Sequence, residues 1–331
     1  MLANSTSSLD PATLDTYDYN GVQITGTPNK MLQLADVTIN TQPASTPAPA
    51  SGPTPLTVGA GGTSTISYRW YEVNPGFDYA TYKKGAFSSA PIAGATSSTY
   101  NAPASTGRKA YWVRATNSCG SADSDIAVVV PRPGAPSNVD AVAIGTSVKV
   151  TWSSGSGAEQ YQIQRKIAGQ PWTTAGTVDN TTFIFTETPL APGGLLLYRV
   201  LSVAGSAYLP PNNLATSDLS NNNVANLLGY TDEDLTNATI KAQHLIELRQ
   251  AVNALCDAAG APHEYQSSEL DISSLQGAGI SAAALTSLMT HINNIRTSAL
   301  VGIPAASFTD VPVVGEVIKR QHLEDLRDAL R

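Results

Sequence analysis

The sequence predicts a mainly β chain in which two tandem β-sandwiches are followed by a small all-α domain. Between about residues 37 and 226 the chain contains strand-length stretches in which apolar and polar residues alternate. From about residue 227 the apolar residues recur at helical spacing instead. The stretch from Pro131 to Pro136 divides the alternating part in two, because repeated proline keeps the backbone extended and blocks a helix.

Composition and charge argue against several classes of function. A length of 331 residues is typical of two or three domains. Charged residues make up 14%, so Ser, Thr, Asn and Gly must cover much of the surface, a balance common in secreted proteins. The net charge of −7 argues against nucleic acid as a partner, which would require a clustered basic face. No apolar run reaches the roughly 18 residues that a membrane span requires.

The first 36 residues are predicted to form an extended N-terminal segment. They are polar and weakly patterned, with one short alternation at Val22 and Ile24. Met1 is followed by Leu-Ala-Asn-Ser-Thr-Ser-Ser, which lacks the basic region and apolar core of a signal peptide. The stretch 43–55, rich in Pro, Ala, Ser and Thr, is interpreted either as a linker or as the first strands of a sandwich, where proline suits edge positions.

The first sandwich is predicted over residues 37–131, with the stretch 110–117 as its central strand. Before that strand, Leu56 and Val58 indicate another strand, and Gly59 to Gly62 are expected to turn the chain. Residues 123–130 are expected to form the closing strand. The two faces of the central strand carry Tyr111, Val113 and Ala115 on one side, and Trp112 and Arg114 on the other.

This first sandwich resembles bacterial immunoglobulin-like modules. The phrases that carry the resemblance are Ile-x-Gly-Ala-Thr-Ser-Ser-x-Tyr at 92–100 and Tyr-Trp-Val-Arg-x-x-Asn-Ser-Cys-Gly at 111–120. The resemblance implies that Trp70 packs in the core and that Tyr111 lies near the start of a late strand. Val58 and Val113 occupy the positions where such domains often have a disulfide, so the resemblance implies an apolar contact there.

The second sandwich is predicted over residues 134–226. Alternation marks three of its strands, at Val148 to Trp152, at Tyr161 to Arg165 and at Tyr198 to Val203. The order Trp, Tyr, Leu and Tyr-x-Val resembles the fibronectin type III family, which fills a seven-strand sandwich core with these residues. The sequence contains no Arg-Gly-Asp tripeptide, so the resemblance does not imply integrin binding.

Residues 230–331 are predicted to form a helical repeat domain. The stretch 230–251 aligns without gaps on 308–329, and both contain Thr-Asp followed later by Ile-Lys-x-Gln-His-Leu-x-x-Leu-Arg-x-Ala. A weaker middle copy runs from His291 to Arg296, on a helix that Ser281 is expected to cap. One lead-in turn and one helix cannot bury an apolar face alone, so the copies are expected to stack. The region resembles C-terminal helical repeats of long secreted bacterial proteins.

The repeated residues admit two interpretations. Three histidines suffice to bind zinc, but equivalent positions on successive helices need not converge. We therefore favour histidines that hydrogen-bond the Thr-Asp lead-in, and we expect no metal site. The acidic run Asp232 to Asp234 lacks the ligand spacing of an EF-hand and is expected to be a solvated lead-in. The histidines are His244, His291 and His322, and the arginines expected to bind acidic groups or carbonyls are Arg249, Arg296 and Arg327.

The aromatic stretch 74–90 is the candidate binding site. Its rings offer a large contact area at low entropic cost, which suits stacking on a sugar or a partner protein. The alternative is that the rings fold back onto the sandwich as part of its core. The candidate residues are Phe77, Tyr79, Tyr82, Lys83, Lys84 and Phe87.

Catalysis has little support in the sequence. It contains no Gly-x-Ser-x-Gly, His-Glu-x-x-His, P-loop or Gly-x-Gly-x-x-Gly motif, so no enzyme activity and no cofactor are predicted. The pair His263 and Glu264 stands alone in a loop. Cys119 and Cys256 fall in different predicted domains and are expected to be thiols, with an interdomain disulfide as the alternative.

These features predict a non-catalytic extracellular or cell-surface scaffold or adhesion protein. Its expected partner is a polysaccharide or protein at the cell surface, or a second copy of the chain. We interpret the sequence as a piece of a longer exported chain, with a cytosolic protein as the alternative. Two other functions remain open: the carbohydrate-binding, accessory end of a secreted enzyme whose catalytic domain lies elsewhere, and a subunit of an extracellular filament.

Overall fold

The computed structural model describes residues 36–73, 89–188, 190, 193–236, 238–275 and 279–331. The described residues form an immunoglobulin-like β-sandwich, a fibronectin type III-like β-sandwich and a small helical unit, in that order. The chain is mainly β, as predicted. Within the described residues no helix has the length and apolar character needed to cross a bilayer.

The first sandwich contains strands β1 to β10, most of them short. They are β1 (Thr38–Thr41), β2 (Thr46–Pro47), β3 (Thr54–Thr57), β4 (Gly59–Gly61), β5 (Ser67–Val73), β6 (Ser89–Pro91), β7 (Thr99–Ala102), β8 (Lys109–Thr116), β9 (Ser121–Asp123) and β10 (Ala127–Val130). One sheet has the order β2-β10-β8-β5-β6, with β9 also paired to β8. Strand β2 runs parallel to β10, while β3-β7 and β1-β4 are antiparallel pairs on the opposite side.

The core of the first sandwich forms around Trp70. Its ring is fully buried, and its indole Nε1 donates a hydrogen bond to the carbonyl oxygen of Ser97 at 2.9 Å. Tyr111, Val58 and Val113 are buried in the same apolar cluster. The expected apolar replacement of the inter-sheet disulfide is therefore present.

Two local predictions for this sandwich were wrong. Gly59 to Gly62 were expected to turn the chain, but Gly59–Gly61 is strand β4, paired with β1. A Cβ on Gly61 would lie 2.6 Å from Nδ2 of Asn40, so glycine permits the close approach of β1. The expected single closing strand is divided into β9 and β10, because Ser124 between them exchanges hydrogen bonds with the backbone of Val113.

The second sandwich contains strands β11 to β18. They are β11 (Ser137–Ile144), β12 (Ser147–Ser153), β13 (Gln160–Lys166), β14 (Thr173–Asp179), β15 (Ile184–Glu187), β16 (Leu195–Ala204), β17 (Ala215–Thr216) and β18 (Asn223–Asn226). One sheet has the order β11-β12-β15. The other has the order β14-β13-β16, and both β17 and β18 pair with the far side of β16.

The predicted alternation places the core residues of this second sandwich correctly. Trp152, Tyr161, Ile163 and Tyr198 are buried in one cluster between the two sheets. The hydroxyl of Tyr198 donates a hydrogen bond to Oε2 of Glu187 at 2.7 Å. Burial raises the pKa of Tyr198, and the neighbouring carboxylate raises it further, so the phenol remains a donor.

The helical unit contains α1 (Ala242–Ala259), α2 (Ala282–Thr297) and α3 (Arg320–Ala329). Helix α1 ends at Gly260, whose φ of 78° is the left-handed conformation that glycine adopts at low cost. Ser281 caps α2 as expected, with its hydroxyl accepting a hydrogen bond from the backbone of Ala284 at 3.2 Å. Five residues were predicted to form one apolar stripe, and four of them lie in α1 and in the core of the unit: Leu245, Leu248, Val252 and Leu255. The fifth, Ile240, precedes α1 and packs against that core while partly buried.

Gly155 allows the linker between the sandwiches to lie against the second one. A Cβ at Gly155 would overlap the carbonyl oxygen of Gly134 and the hydroxyl of Ser202. The backbone N–H of Gly134 in turn donates to the carbonyl of Ser156 at 2.7 Å. Backbone atoms occupy the space that a side chain at 155 would need.

We expect Gly155→Ala to destabilise the protein by about 1–3 kcal/mol, the usual cost of overpacking a close contact. Urea unfolding measures this loss. Gly107→Ala is the matched control, because a Cβ there would meet no atom within 4 Å. Equal stabilities for the two variants would contradict the proposed close contact.

Candidate functional site

The predicted aromatic binding residues Phe77, Tyr79, Tyr82, Lys83, Lys84 and Phe87 lie outside the described residues. The structure does describe the strands at both ends of this stretch. Val73, the last residue of β5, pairs with Ser89, the first residue of β6. The stretch 74–88 therefore begins and ends at neighbouring positions on one sheet, and its role in binding remains a prediction.

The first candidate site is the apolar junction between the two sandwiches. Trp112, predicted on the face of β8 opposite Tyr111, is only 8% exposed. Its ring stacks on Tyr71 with a centroid distance of 4.1 Å and an interplanar angle of 5°. The buried residues of this junction come from both sandwiches: Val73, Ala110, Trp112, Val128, Val130, Ala204, Leu209 and Ala215.

Polar groups surround this apolar junction. Glu159 of the second sandwich forms an ion pair with Arg108 of the first, and its Oε2 accepts a hydrogen bond from the backbone of Gly205 at 2.9 Å. Arg132 of the linker donates to Oδ1 of Asp218 at 2.8 Å and to the carbonyl of Thr216 at 2.9 Å. A polar rim around an apolar centre is the usual composition of a stable interface.

The second candidate site is the junction between the second sandwich and the helices. Leu195, Leu197 and Val224 lie on the outer face of a sheet, and they belong to the same buried cluster as the apolar stripe of α1. The ammonium of Lys166 donates to the carbonyl of Ala259, near the end of α1, at 2.7 Å. The helices therefore cover a sheet face that alternation alone assigns to solvent.

The two aligned copies of the helical repeat contain the same polar cluster. In the first copy, Nδ1 of His244 accepts the backbone N–H of Lys241 at 3.2 Å, and Nε2 lies 2.9 Å from Oδ2 of Asp232. The same carboxylate oxygen accepts a hydrogen bond from Nζ of Lys241 at 2.8 Å. His244 is only 1% exposed, so both nitrogens of a buried ring have partners.

The second copy repeats these contacts. Nδ1 of His322 accepts the backbone N–H of Lys319 at 3.1 Å, and Nε2 lies 3.3 Å from Oδ2 of Asp310. Nζ of Lys319 donates to the same oxygen at 2.8 Å. The expected hydrogen bond between the histidine and the Thr-Asp lead-in is therefore present in the first copy. In the second copy Nε2 of His322 faces the Asp310 carboxylate at ion-pair distance without a hydrogen bond.

An acidic residue three positions after each histidine binds the start of its lead-in. Oε1 of Glu247 accepts the backbone N–H of Thr231 at 3.1 Å, and the threonine hydroxyl also donates to it. In the second copy Oδ2 of Asp325 accepts the backbone N–H groups of Thr309 at 2.5 Å and Asp310 at 3.1 Å. The histidine and this carboxylate together attach each lead-in to its helix.

The middle histidine does not take an equivalent position, contrary to the prediction. His291 lies well inside α2, whereas His244 and His322 lie in the first turns of their helices. Its Nδ1 is 2.8 Å from Oε2 of Glu264, and its ring meets that of Tyr265 edge-on. Among the described residues no group of three or more His, Cys, Asp or Glu is placed to bind a metal ion.

The remaining chemical candidates are His263 and the two cysteines. His263 pairs with Asp257 at 2.7 Å, and both side chains are about half exposed. Cys119 and Cys256 are both free thiols. Burial raises the pKa of Cys256 to about 11, which makes it a poor nucleophile at neutral pH.

All three repeated arginines bind carbonyl groups, and Arg327 also lies close to an acidic side chain, so both expected kinds of partner occur. Arg249 donates to the carbonyl of Glu269 at 2.8 Å, and Arg296 donates to those of Pro304 at 3.0 Å and Ala329 at 2.6 Å. These contacts were not specified by the repeat pattern, because each arginine reaches a segment outside its own copy.

No protein-family model matches this chain, and no curated protein matches it significantly. Solved structures similar to parts of it include domains of titin, with 16% identity and a TM-score of 0.36 over 59% of this chain and 67% of that one. A two-domain fibronectin type III segment of chicken tenascin has 16% identity and a TM-score of 0.28, over 58% and 97% of the two chains. A Fn3-like protein from Clostridium thermocellum has 24% identity and a TM-score of 0.24, over 29% and 94%. The fold assignment rests on the strand order and pairing above, and no functional conclusion follows from these similarities.

We expect Asp232→Asn to lower the free energy of unfolding at neutral pH and to have little effect in strong acid. Hydrogen bonds from Lys241 and then His244 hold the pKa of Asp232 below its usual range. A carboxylate with a lowered folded-state pKa stabilises the fold above its unfolded pKa of about 3.9, and this contribution disappears as pH falls through the lower folded value.

Urea unfolding between neutral pH and about pH 2 measures the difference between the wild type and Asp232→Asn. The difference should shrink once the pH falls below about 4. Asp140→Asn, which changes an exposed carboxyl in β11, is the control and should show a smaller difference at neutral pH. A difference that stays constant over the whole range would show that the Asp232 carboxylate is not responsible.

Proposed function

We propose that this chain is a non-catalytic scaffold or adhesion protein of the cell surface or extracellular space, whose three units form one stiff body. The observation that carries the proposal is the pair of apolar junctions described above. Burying a large aliphatic side chain contributes about 1.5–3 kcal/mol, so several such residues at each junction are enough to hold neighbouring units together. Units joined by polar linkers alone would instead move independently.

The proposed units are residues 37–131, 134–226 and 230–331, preceded by an extended segment at 1–36. Because of the junctions, we do not expect every unit to be equally stable when separated from its neighbour. Leu195, Leu197 and Val224 share one buried cluster with the helices, so separating the helical unit would expose them to water. We therefore propose that each sandwich has its own core, and that the helical unit depends on the second sandwich for part of its stability.

The contacts of the histidines support a non-catalytic function. A general base needs a ring nitrogen free to reach a substrate proton. Both ring nitrogens of His244 are hydrogen-bonded within its own repeat. Nδ1 of His322 is hydrogen-bonded in the same way, its Nε2 faces Asp310 at 3.3 Å, and both rings are buried. These residues hold the lead-ins in place, which is a structural role.

The proposed partner is a polysaccharide or protein at the cell surface. The support is the aromatic composition of 74–88 together with the pairing of Val73 with Ser89, because a long connection between paired strands is a common place for binding residues. The same support fits the second candidate function, a carbohydrate-binding accessory end of a secreted enzyme. Extracellular location is part of the proposal and is suggested by composition.

We expect Leu209→Asp to loosen the junction between the sandwiches without unfolding either one. Leu209 is 5% exposed and packs at the junction, so a carboxylate there would be desolvated against Trp112 and its neighbours. Small-angle X-ray scattering should show a larger radius of gyration for the variant, while circular dichroism stays unchanged.

Leu219→Asp is the matched control for this experiment. Leu219 belongs to the same sandwich but is 51% exposed, so its replacement should leave the scattering curve unchanged. A wild-type protein that scatters as a flexible chain of units would contradict the proposed stiff scaffold. An unchanged radius of gyration in Leu209→Asp would do the same.

Replacing Phe77, Tyr79 and Tyr82 together by Ala tests the binding proposal. We expect the full-length variant to lose binding to cell-wall polysaccharide or intact cells, with a melting temperature close to that of the wild type. If the rings belong to the core, each Phe→Ala change costs about 3–5 kcal/mol and the melting temperature falls sharply. Phe183→Ala, an exposed ring in the second sandwich, is the control and should bind normally.

A further inference from the structure

The guanidinium of Arg327 in α3 is buried against the first copy of the repeat. It is only 3% exposed, and its Nη1 donates to the carbonyl oxygen of Asp232 at 2.6 Å. Its Cζ lies 4.2 Å from the centre of the Tyr230 ring, and its Nη2 lies 3.7 Å from Oε2 of Glu247. The last helix of the chain therefore contacts the segment that leads into the first helix.

This contact completes a cycle among the three helices. Arg249 of α1 binds the carbonyl of Glu269, in the segment that leads to α2. Arg296 of α2 binds the carbonyl of Pro304, in the segment that leads to α3. Arg327 of α3 binds the carbonyl of Asp232, in the segment that leads to α1. The copies therefore close on one another, whereas simple stacking would leave the first and last copies apart.

The cycle continues into the second sandwich through Tyr230. The hydroxyl of Tyr230 accepts a hydrogen bond from Nδ2 of Asn226 at 2.9 Å. Asn226 is the last residue of β18, and it pairs with Leu195 of β16. A line of contacts thus runs from Arg327 across the tyrosine to a sheet of the sandwich.

In the ion pair between Arg327 and Glu247, neither side chain has another partner among the described residues for the charged atom that it directs at the other. Within the described part of the chain, Nη2 of Arg327 and Oε2 of Glu247 make no hydrogen bond, so each depends on the other for charge compensation. Removing one partner leaves a buried charge uncompensated, which is strongly destabilising. Lysine would keep the charge but lose the planar fork that meets a carbonyl, a carboxylate and a ring at once.

We propose that α3 is a strap that holds the helical unit against the second sandwich, and that the contacts of Arg327 keep α3 docked. Helix α3 has 10 residues, shorter than an isolated helix needs to persist in water, so it depends on docking. When Arg327 is released, α3 and the α1 lead-in lose their contacts together. The strap therefore opens as one local unit while the sandwich cores stay folded.

Hydrogen-exchange mass spectrometry of the full chain tests the strap. In Arg327→Gln we expect exchange to rise at least roughly tenfold in residues 226–236 and in α3, and to stay unchanged in β8 and β12. Arg327→Lys should show the same pattern to a smaller extent. Arg331→Gln is the control, because Arg331 follows α3, is exposed and forms its ion pair with the nearby Asp328; this variant should exchange like the wild type.

If Arg327→Gln unfolds the whole helical unit, a milder variant, Tyr230→Phe, still tests the proposal. Tyr230→Phe retains the ring below the guanidinium and removes the hydroxyl that Asn226 binds. We expect faster exchange in residues 226–236 and unchanged protection of α3. The proposal is overturned if Arg327→Gln leaves 226–236 protected, if it raises exchange equally in β8, or if Tyr230→Phe exchanges like the wild type throughout.

Discussion

Strand β16 is buried on both of its faces, and the placement of the helices depends on that burial. Tyr198 and Val200 face the core of the second sandwich, while Leu195 and Leu197 face the core of the helical unit. Nine of its ten residues are buried. A strand covered on both sides loses stability if either layer is removed, since each large apolar side chain returned to water costs about 1.5–3 kcal/mol. The second sandwich and the helices therefore stabilise one another.

The first sandwich follows the same construction. The sheet that contains β8 packs Tyr111 and Val113 inward and Trp112 outward, and residues of the second sandwich cover the outward side. In both sandwiches, then, the sheet with the late central strand has its outer face covered by the unit that follows in sequence. Each of the two junctions between units is therefore built on the outer face of a sheet whose other face is the core of its own sandwich.

The helical unit depends on polar contacts more than its apolar stripe suggests. Each aligned copy uses a histidine and a carboxylate to attach its lead-in, and the two copies differ at one informative position. Asp325 uses its two oxygens on Gln321 and on its own lead-in, whereas the longer Glu247 directs its second oxygen toward Arg327. One additional methylene group thus gives the first copy a partner for the arginine of the second.

The sequence by itself determined the parts of this protein that depend on local pattern. Alternation placed Tyr111 and Tyr161 on the apolar faces of their strands, because successive side chains of a strand point to opposite faces. The buried position of Trp70 was implied by the resemblance to immunoglobulin-like modules. Helical spacing identified the stripe of α1, and the repeated Thr-Asp and His predicted the bond between His244 and Asp232.

Only the tertiary structure decided what covers each outward face and where the arginines bind. Alternation places Trp112 and Leu197 on the opposite strand face from the residues next to them in sequence. It does not say which other unit covers that face. The glycines of β4 form a strand because β1 approaches them, a contact that no local pattern reports. His291 matched its repeat in sequence, yet it follows the start of its helix by more turns, so it meets Glu264 in place of a lead-in. Contacts between distant segments depend on how whole units pack, and spacing within one segment carries no information about that packing.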